Sequence, residues 1–451
     1  MKSRAQYVCQ QCGYRHSKWS GRCQECSAWN SVIEEAADRG KPSGTLRLPN
    51  AGEAARPIGS VPSEDARRTP TGIGELDSVL GGGIVAGSVT LLGGEPGVGK
   101  STLLLQLAAQ VAAHGSKVLY ASGEESAAQI ALRAGRLGIS SDNLLVLSET
   151  SIETILEQVK ALRPGLLIVD SIQTMHTSTI DSQPGNVSQL RECTYTLINE
   201  AKARMTPAWL VGHVTKDGAI AGPKVLEHMV DVVLYLESGT LHGFRVVRGI
   251  KNRFGPTNEI GVFEMQAEGF REVPNPSELF LAERPDRTPG SVITASLEGT
   301  RPILVEVQAL VSQTALALPR RTSIGVDPNR VSLLVAILEK RGGYHLYDQD
   351  VYVNIAGGLR LSETASDLAV IASLISSTKG EAIEAKTLVF GEVGLGGEVR
   401  GVSRGLERVR EGARVGLKRA LLPASTAKDL PRVPGVEMVP VAHIQELADR
   451  L

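Results

Sequence analysis

Between residues 88 and 254 the apolar positions fall into short runs separated by stretches with helical spacing. The runs SVTLLGG, KVLYASGE, GLLIVDS, AWLVGHV, VDVVLYLE and FRVVRGIKNRF are nearly continuous, as in strands covered on both faces. The stretches STLLLQLAAQVAAHG and IETILEQVKAL repeat apolar residues at three and four positions. That alternation predicts βαβ units around a largely parallel sheet, an α/β domain over residues 69–273. A Pro-rich junction, REVPNPSELFLAERPDRTPG, follows. Residues 289–451 then mix strand patterns (SVITASLEGTRPILVEVQALV, DVYVNIAGGL, TLVFGEVGL) with helical ones (NRVSLLVAILEKRGG, ETASDLAVIASLIS) and predict a separate α+β domain. At the other end, residues 1–33 form a Cys-rich module, and residues 34–68 lack periodicity and predict a linker with one short strand.

Composition narrows the class. With 451 residues, 42% hydrophobic and 22% charged, the chain has the make-up of a soluble protein of two or three domains. A net charge of −1 excludes a polycation, so nucleic-acid binding must come from local basic loops or a small module. The chain has no apolar run of about 18 residues, which argues against a membrane span. No signal-peptide core stands at its start, and the expected location is cytoplasmic.

The segment Gly94-Glu95-Pro96-Gly97-Val98-Gly99-Lys100-Ser101-Thr102 joins a predicted strand to a predicted helix. Its glycines let successive N–H groups converge on phosphate oxygens, and the helix start adds its positive end. Lys100 is placed for the β- and γ-phosphates and the Ser101 hydroxyl for Mg²⁺, which implies ATP with Mg²⁺. Asp170, closing GLLIVDS, is the expected second magnesium ligand. Glu124 and Glu125, just past another strand, are candidates to activate water, with Glu124 favoured. Their adjacency predicts repulsion and a raised pKa for one of them. His213 ends a further strand, placed to sense the γ-phosphate.

Four of the five cysteines lie in the first 26 residues, as Cys9-X-X-Cys12 and Cys23-X-X-Cys26. Two such knuckles ten residues apart predict one tetrahedral Zn²⁺ site, with Gly13 in the first turn. Lys2, Arg4, Arg15, Lys18 and Arg22 against Glu25, with Trp19 and Trp29, suit DNA or a protein partner. Cys193, in a helical pattern, reads as a buried thiol. Taken alone, Lys251 and Arg253 read as cations on a solvated edge strand.

The segments TGIGELDSVLGGGIVAGSVTLLGGEPGVGKST, YASGEES, LLIVDSIQTM, VSQLRECTYTL, VGHVTKDGAIAGPKVLEHMVD and KNRFG resemble the bacterial RadA (Sms) family, RecA-like ATPases of DNA recombination and repair. The resemblance spans nearly the whole chain. It implies a hexameric ring with ATP between subunits, movement on single-stranded and branched DNA, and branch migration in partnership with RecA. Within KNRFG, residues 251–255, Lys251 and Arg253 resemble cations that one subunit lends to the γ-phosphate held by the next. Residues 174–190 and 215–225 look like the two mobile channel loops, with Lys216 and Lys224 as DNA contacts and Arg191 as a lesser one. The C-terminal region resembles the proteolytic domain of Lon. Ser366 falls near that family's serine, yet Arg404, Leu406 and Arg408 stand where its lysine base would lie, and arginine cannot serve as a base. The expectation is a non-proteolytic scaffold with a second DNA surface including Arg404, Arg408, Arg410, Lys418 and Arg419. The alternative is a KaiC-like regulatory ATPase that signals through protein partners.

Overall fold

The computed structural model describes residues 5–9, 14–36, 57, 68–213, 224–238, 243–282, 284, 287–315 and 318–451. Its contacts divide the chain into two compact units, Met1–Ser238 with Phe244–Val273, and Gly239–Gly243 with Pro274–Leu451.

In the first unit, β1 (Ala5–Cys9) lies between β2 (Arg15–His16) and β3 (Val32–Ala36) in a small antiparallel sheet. Most of the expected linker, and Lys2, Arg4, Cys12 and Gly13, lie outside the described residues. The ribbon of β4 (Arg68–Thr69) and β5 (Ile84–Val85) brackets α1 (Gly74–Leu80).

The central sheet holds nine strands: β6 (Val89–Gly94), β7 (Val118–Ser122), β8 (Leu144–Ser148), β9 (Leu166–Asp170), β10 (Ala208–His213), β11 (Val232–Ser238), β12 (Phe244–Asn252), β13 (Ile260–Gln266) and β14 (Gly269–Glu272). Their order is β14-β13-β12-β11-β6-β10-β9-β7-β8. The run from β11 to β8 is parallel, and β12 to β14 extend it antiparallel. Neighbouring residues of one strand feed opposite cores. Leu92, Ile168 and Val211 join one core with Leu103, Leu104 and Leu107 of α2 (Lys100–Ala113). Leu91, Val169 and Leu210 join the other with α4 (Ile152–Leu162) and α5 (Val187–Arg204). Burial on both faces is why these strands read as continuous apolar runs. Cys193 lies in that second core, fully buried, and desolvation pushes its thiol up to about 12. The remaining helices here are α3 (Ala127–Arg136) and α6 (Lys224–Met229). The segment read alone as a solvated edge is β12, an interior strand between β11 and β13.

The second unit is α+β. Its seven-stranded sheet contains β15 (Ser291–Glu298), β16 (Arg301–Gln313), β17 (Arg321–Ile324), β18 (Gln349–Ile355), β19 (Thr387–Val389), β22 (Arg419–Pro423) and β23 (Glu437–Val441), while β20 (Glu392–Val393) and β21 (Val399–Arg400) form a hairpin. The helices are α7 (Pro276–Leu281), α8 (Pro328–Gly342), α9 (Asp367–Lys379), α10 (Gly405–Arg414), α11 (Ala424–Asp429) and α12 (Ile444–Arg450). Helix α9 buries ten of its thirteen residues, which makes it the spine of this unit. Among the described residues no helix is long and apolar enough to cross a membrane.

Candidate functional site

The turn between β6 and α2 has the backbone its sequence demands. Gly97 and Gly99 take φ of 78° and 111°. A Cβ on Gly99 would lie 2.6 Å from Met265 Cε and 2.7 Å from Phe270 Cζ, so the position is closed to any side chain. Helix α2 starts without a side-chain cap, whereas α3 and α4 are capped by Ser126 and Ser151. The leading N–H groups of α2 are therefore left for an anion. Lys100, 4% exposed, donates from Nζ to the carbonyls of Gly94 (2.8 Å) and Glu95 (2.9 Å). Burial lowers its pKa to about 8, against the opposing pull of Asp170 and Glu124.

Strand register gathers the other candidates at the same edge. His213 is level with Gly94, and Ser122 with Asp170. This is the carboxyl edge of a parallel sheet, where such folds bind ligands. Asp170 is buried, and its Oδ2 accepts a 2.6 Å hydrogen bond from the Tyr120 hydroxyl. Burial first, and then the Asp170 charge, push the Tyr120 pKa well up, so the tyrosine stays a donor. A buried carboxylate beside an uncapped helix start and a lysine suits Mg²⁺ with a triphosphate. The same loop places Ser101 in the first turn of α2.

Glu124 accepts hydrogen bonds from Ser171 Oγ and from His213 Nε2 (2.9 Å), both on Oε1. The His213 hydrogen bond is the largest cause holding its pKa down at about 2; burial opposes and Ser171 assists. The raised carboxylate expected from adjacency is not found at Glu124. The reason is geometric, because Glu125 turns away to an ion pair with Arg133 and the two acids have separate partners.

The residues of KNRFG lie elsewhere. Asn252 is level with Val232, which is level with Thr90 near the start of β6. Four residues at a rise of about 3.3 Å place the motif about 13 Å back along the strands from the Gly94 turn. Lys251 Nζ donates to the carbonyls of Glu227 (2.8 Å), His228 (3.3 Å) and Val230 (2.8 Å) at the end of α6. Arg253 pairs with Asp231 at 3.0 Å and keeps half its side chain exposed.

Of the DNA candidates, Arg191 is exposed on α5, Lys224 opens α6, and Lys216 lies outside the described residues. Sequence reasoning missed how the segment 174–190 is tied down. Glu153 accepts from Thr177 Oγ1 (2.6 Å) and Ser178 N (3.1 Å), while the Gln189 amide bonds Thr177 N, Thr177 O and Ser182 O.

Cys9, Cys23 and Cys26 place their sulfurs within 4.8 Å of one another, with Cys9 and Cys26 3.6 Å apart. Tetrahedral zinc with bonds of about 2.3 Å spaces sulfurs about 3.8 Å apart, so three of the four expected ligands fit. In the second unit, Ser366 Oγ donates to the Glu363 carbonyl at 3.0 Å. Arg408, expected at a DNA surface, is fully buried in a two-pronged pair with Glu363 (2.8 and 2.6 Å). A side chain so enclosed cannot meet DNA, and that expectation is corrected.

Models of three known families match: an AAA domain over residues 55–219, a rubredoxin metal binding domain over 7–34, and the ChlI subunit of Mg-chelatase over 308–426. The chain is 49% identical over 448 residues to a DNA repair protein RadA of Bacillus subtilis, with 99% of this chain and 98% of that one covered. It is 47% identical to the protein of that name in Pseudomonas aeruginosa, covering 100% and 99%, and 46% identical to that of Aquifex aeolicus, covering 100% and 99%. Among solved structures, a KaiC-like protein of Pyrococcus horikoshii is 21% identical, with 46% of this chain and 100% of that one covered and a TM-score of 0.41.

Proposed function

The chain belongs to the family of the bacterial DNA repair protein RadA, and on that footing we propose that it is a cytoplasmic, DNA-dependent ATPase that moves along single-stranded DNA and drives branch migration of recombination intermediates alongside RecA. The carrying observation is the separation of two half-sites on one sheet. The phosphate turn, Asp170 and Glu124 stand at one strand end, and KNRFG stands at the other. That separation supports the reading in which a KNRFG cation serves the nucleotide of a neighbouring copy in a closed ring, six-membered by family likeness.

In this reading Lys100 and the N–H groups heading α2 bind the β- and γ-phosphates. Ser101 and Asp170 would hold Mg²⁺, which neutralises charge on the phosphate oxygens. Glu124 orients water and takes its proton on Oε2, the oxygen that neither Ser171 nor His213 occupies. The water oxygen bonds to the γ-phosphorus as the bond to the β–γ bridging oxygen breaks. Arg191, Lys216 and Lys224 contact DNA phosphates. Cys9, Cys12, Cys23 and Cys26 hold Zn²⁺ as a structural staple. The C-terminal unit serves as a non-proteolytic scaffold, since Ser366 is turned onto the Glu363 carbonyl and Arg408 is locked in an ion pair.

ATP turnover with and without single-stranded DNA, on the intact chain and on Lys100→Ala, tests the reading. DNA should stimulate the intact chain and do nothing for the variant. Equal turnover with and without DNA would overturn it in favour of a regulatory ATPase.

A further inference from the structure

Resting on the reading above, we infer that the Cys-rich module carries a second contact with single-stranded DNA: a stacking platform in which Trp19 and Trp29 hold unpaired bases and Arg22 takes the phosphate between them.

A module this small gains most by burying its largest side chains, yet Trp19 and Trp29 are 61% and 72% exposed. Its core is Cys9, Cys23 and Val32, with Tyr7 packed against them. Apolar area of that size left in water marks a contact surface.

The backbone that shapes the second knuckle also sets the platform. Cys23 N donates to the Ala28 carbonyl (2.8 Å) and Asn30 N to the Gly21 carbonyl (2.7 Å), so Arg22 and Trp29 face each other as an antiparallel bridge. The Arg22 guanidinium carbon lies 5.7 Å from the centre of the Trp29 ring, and its Nε donates to the Ser27 carbonyl at 3.1 Å. Among the described residues no hydrogen bond engages the two terminal nitrogens of Arg22. The Trp19 ring borders Gly21, with Cη2 3.8 Å from where a Cβ on that glycine would stand. Both indoles thus adjoin one dipeptide, Gly21-Arg22, which supplies a cation.

The neighbouring side chains select the ligand. Lys18, Arg22, Gln24 and Asn30 are exposed nearby in sequence, against one exposed acid, Glu25. Of the large apolar side chains exposed in this module, Tyr14, Trp19 and Trp29 are aromatic and Ile33 alone is aliphatic, among the described residues. Protein interfaces surround such anchors with further apolar surface and are poor in lysine. Ring faces set among cations and amides suit flat bases joined by phosphates instead. Stacking on an indole needs a base that is not already paired inside a duplex, so the fitting form is a single strand.

Titration of the zinc-loaded, full-length chain with oligo(dT) tests this. The chain has three tryptophans, and Trp209 is fully buried on β10, so quenching reports Trp19 and Trp29. Oligo(dT) should quench the emission, while an abasic strand of equal length, which keeps the phosphates and lacks the bases, should leave it unchanged. Replacing both residues, Trp19→Ala with Trp29→Ala, should weaken oligo(dT) binding at least about tenfold, with zinc content and the slope of affinity against salt as in the parent. Trp19→Phe with Trp29→Phe, which keeps both ring faces, should bind close to the parent. Arg22→Gln should instead flatten the salt slope by about one. No quenching by oligo(dT), equal quenching by the abasic strand, or unchanged affinity in the double alanine variant would overturn the platform and leave the tryptophans to a protein partner. If single-stranded DNA still speeds ATP turnover in that case, the reading of the chain as a DNA-dependent ATPase stands. An intact chain that neither binds oligo(dT) nor hydrolyses ATP faster with it would sink that reading as well.

Discussion

Glu124 lies just past β7 and His213 ends β10, two strands kept apart by β9, yet His213 Nε2 lies 2.9 Å from Glu124 Oε1. The imidazole and Ser171 share one oxygen of the carboxylate and leave the other without a hydrogen bond among the described residues. Glu124→Gln should therefore lower ATP turnover by at least about a hundredfold while ADP binding persists, since water loses its base but the phosphates keep their cradle. Glu125→Gln should cost less, because that carboxylate is paired with Arg133. Steady-state kcat beside nucleotide-binding titrations distinguishes the two.

The same contact sets a pH expectation. With its pKa lowered to about 2, Glu124 is ionised at any pH where the protein works, so it contributes no acid limb to kcat near neutrality. His213→Ala removes the chief cause of that shift. Any limb due to Glu124 should then move upward, toward the ordinary carboxylate range. A pH profile of kcat for both proteins checks it.

Lys100 carries the opposite sign. Its pKa is about 8 in the fold against an ordinary 10.5, so protonated Lys100 opposes folding most strongly below pH 8. The cost falls as pH rises from 8 to 10.5, where the unfolded chain binds more protons than the folded one. Lys100→Met should raise stability at pH 7 by on the order of 3 kcal/mol at most, seen as a higher thermal midpoint, and the advantage should shrink across that window. Added Mg-ADP, whose charge compensates the lysine, should close the gap. Thermal melts at a series of pH values give the answer.

Much of this site was legible in the sequence because its parts are local. The Gly-rich turn announces itself by spacing, and strand ends follow from apolar runs. What escaped is what partners across strands. Tyr120 reads as one more apolar position in VLYAS, and nothing nearby in sequence says that its hydroxyl grips an acid fifty residues on. Ser171 looks like part of a turn and proves to hold Glu124. Arg408 was misread for the same reason, since a cation on a polar helix face implies solvent until its acid, forty-five residues back, is seen to close over it. The helical spacing around Cys193 was enough to bury it correctly.

That enclosed pair yields another expectation. Arg408→Met leaves Glu363 without its guanidinium and should destabilise the C-terminal unit by about 3–5 kcal/mol. Pairing it with Glu363→Gln should cost clearly less, because no unmatched charge remains. Denaturant titrations of both proteins, read as midpoint and slope, test it.

For the Cys-rich module, one zinc per chain is expected, with metal–sulfur distances of about 2.3 Å by X-ray absorption. Cys23→Ser should lose the metal and the order of β1 to β3 while nucleotide binding at the Gly94 turn remains. Metal analysis and ADP titration on the same sample suffice.

On the proposed reading, placing the pocket and the KNRFG cations at opposite strand ends makes catalytic output a property of the junction between copies. A solitary molecule would then own two halves that never meet. A row of copies left open wastes one of each at its tips, and closing the row recovers both. Turnover per molecule should then fall with dilution past the point where junctions come apart, although every chain keeps its fold and its grip on nucleotide.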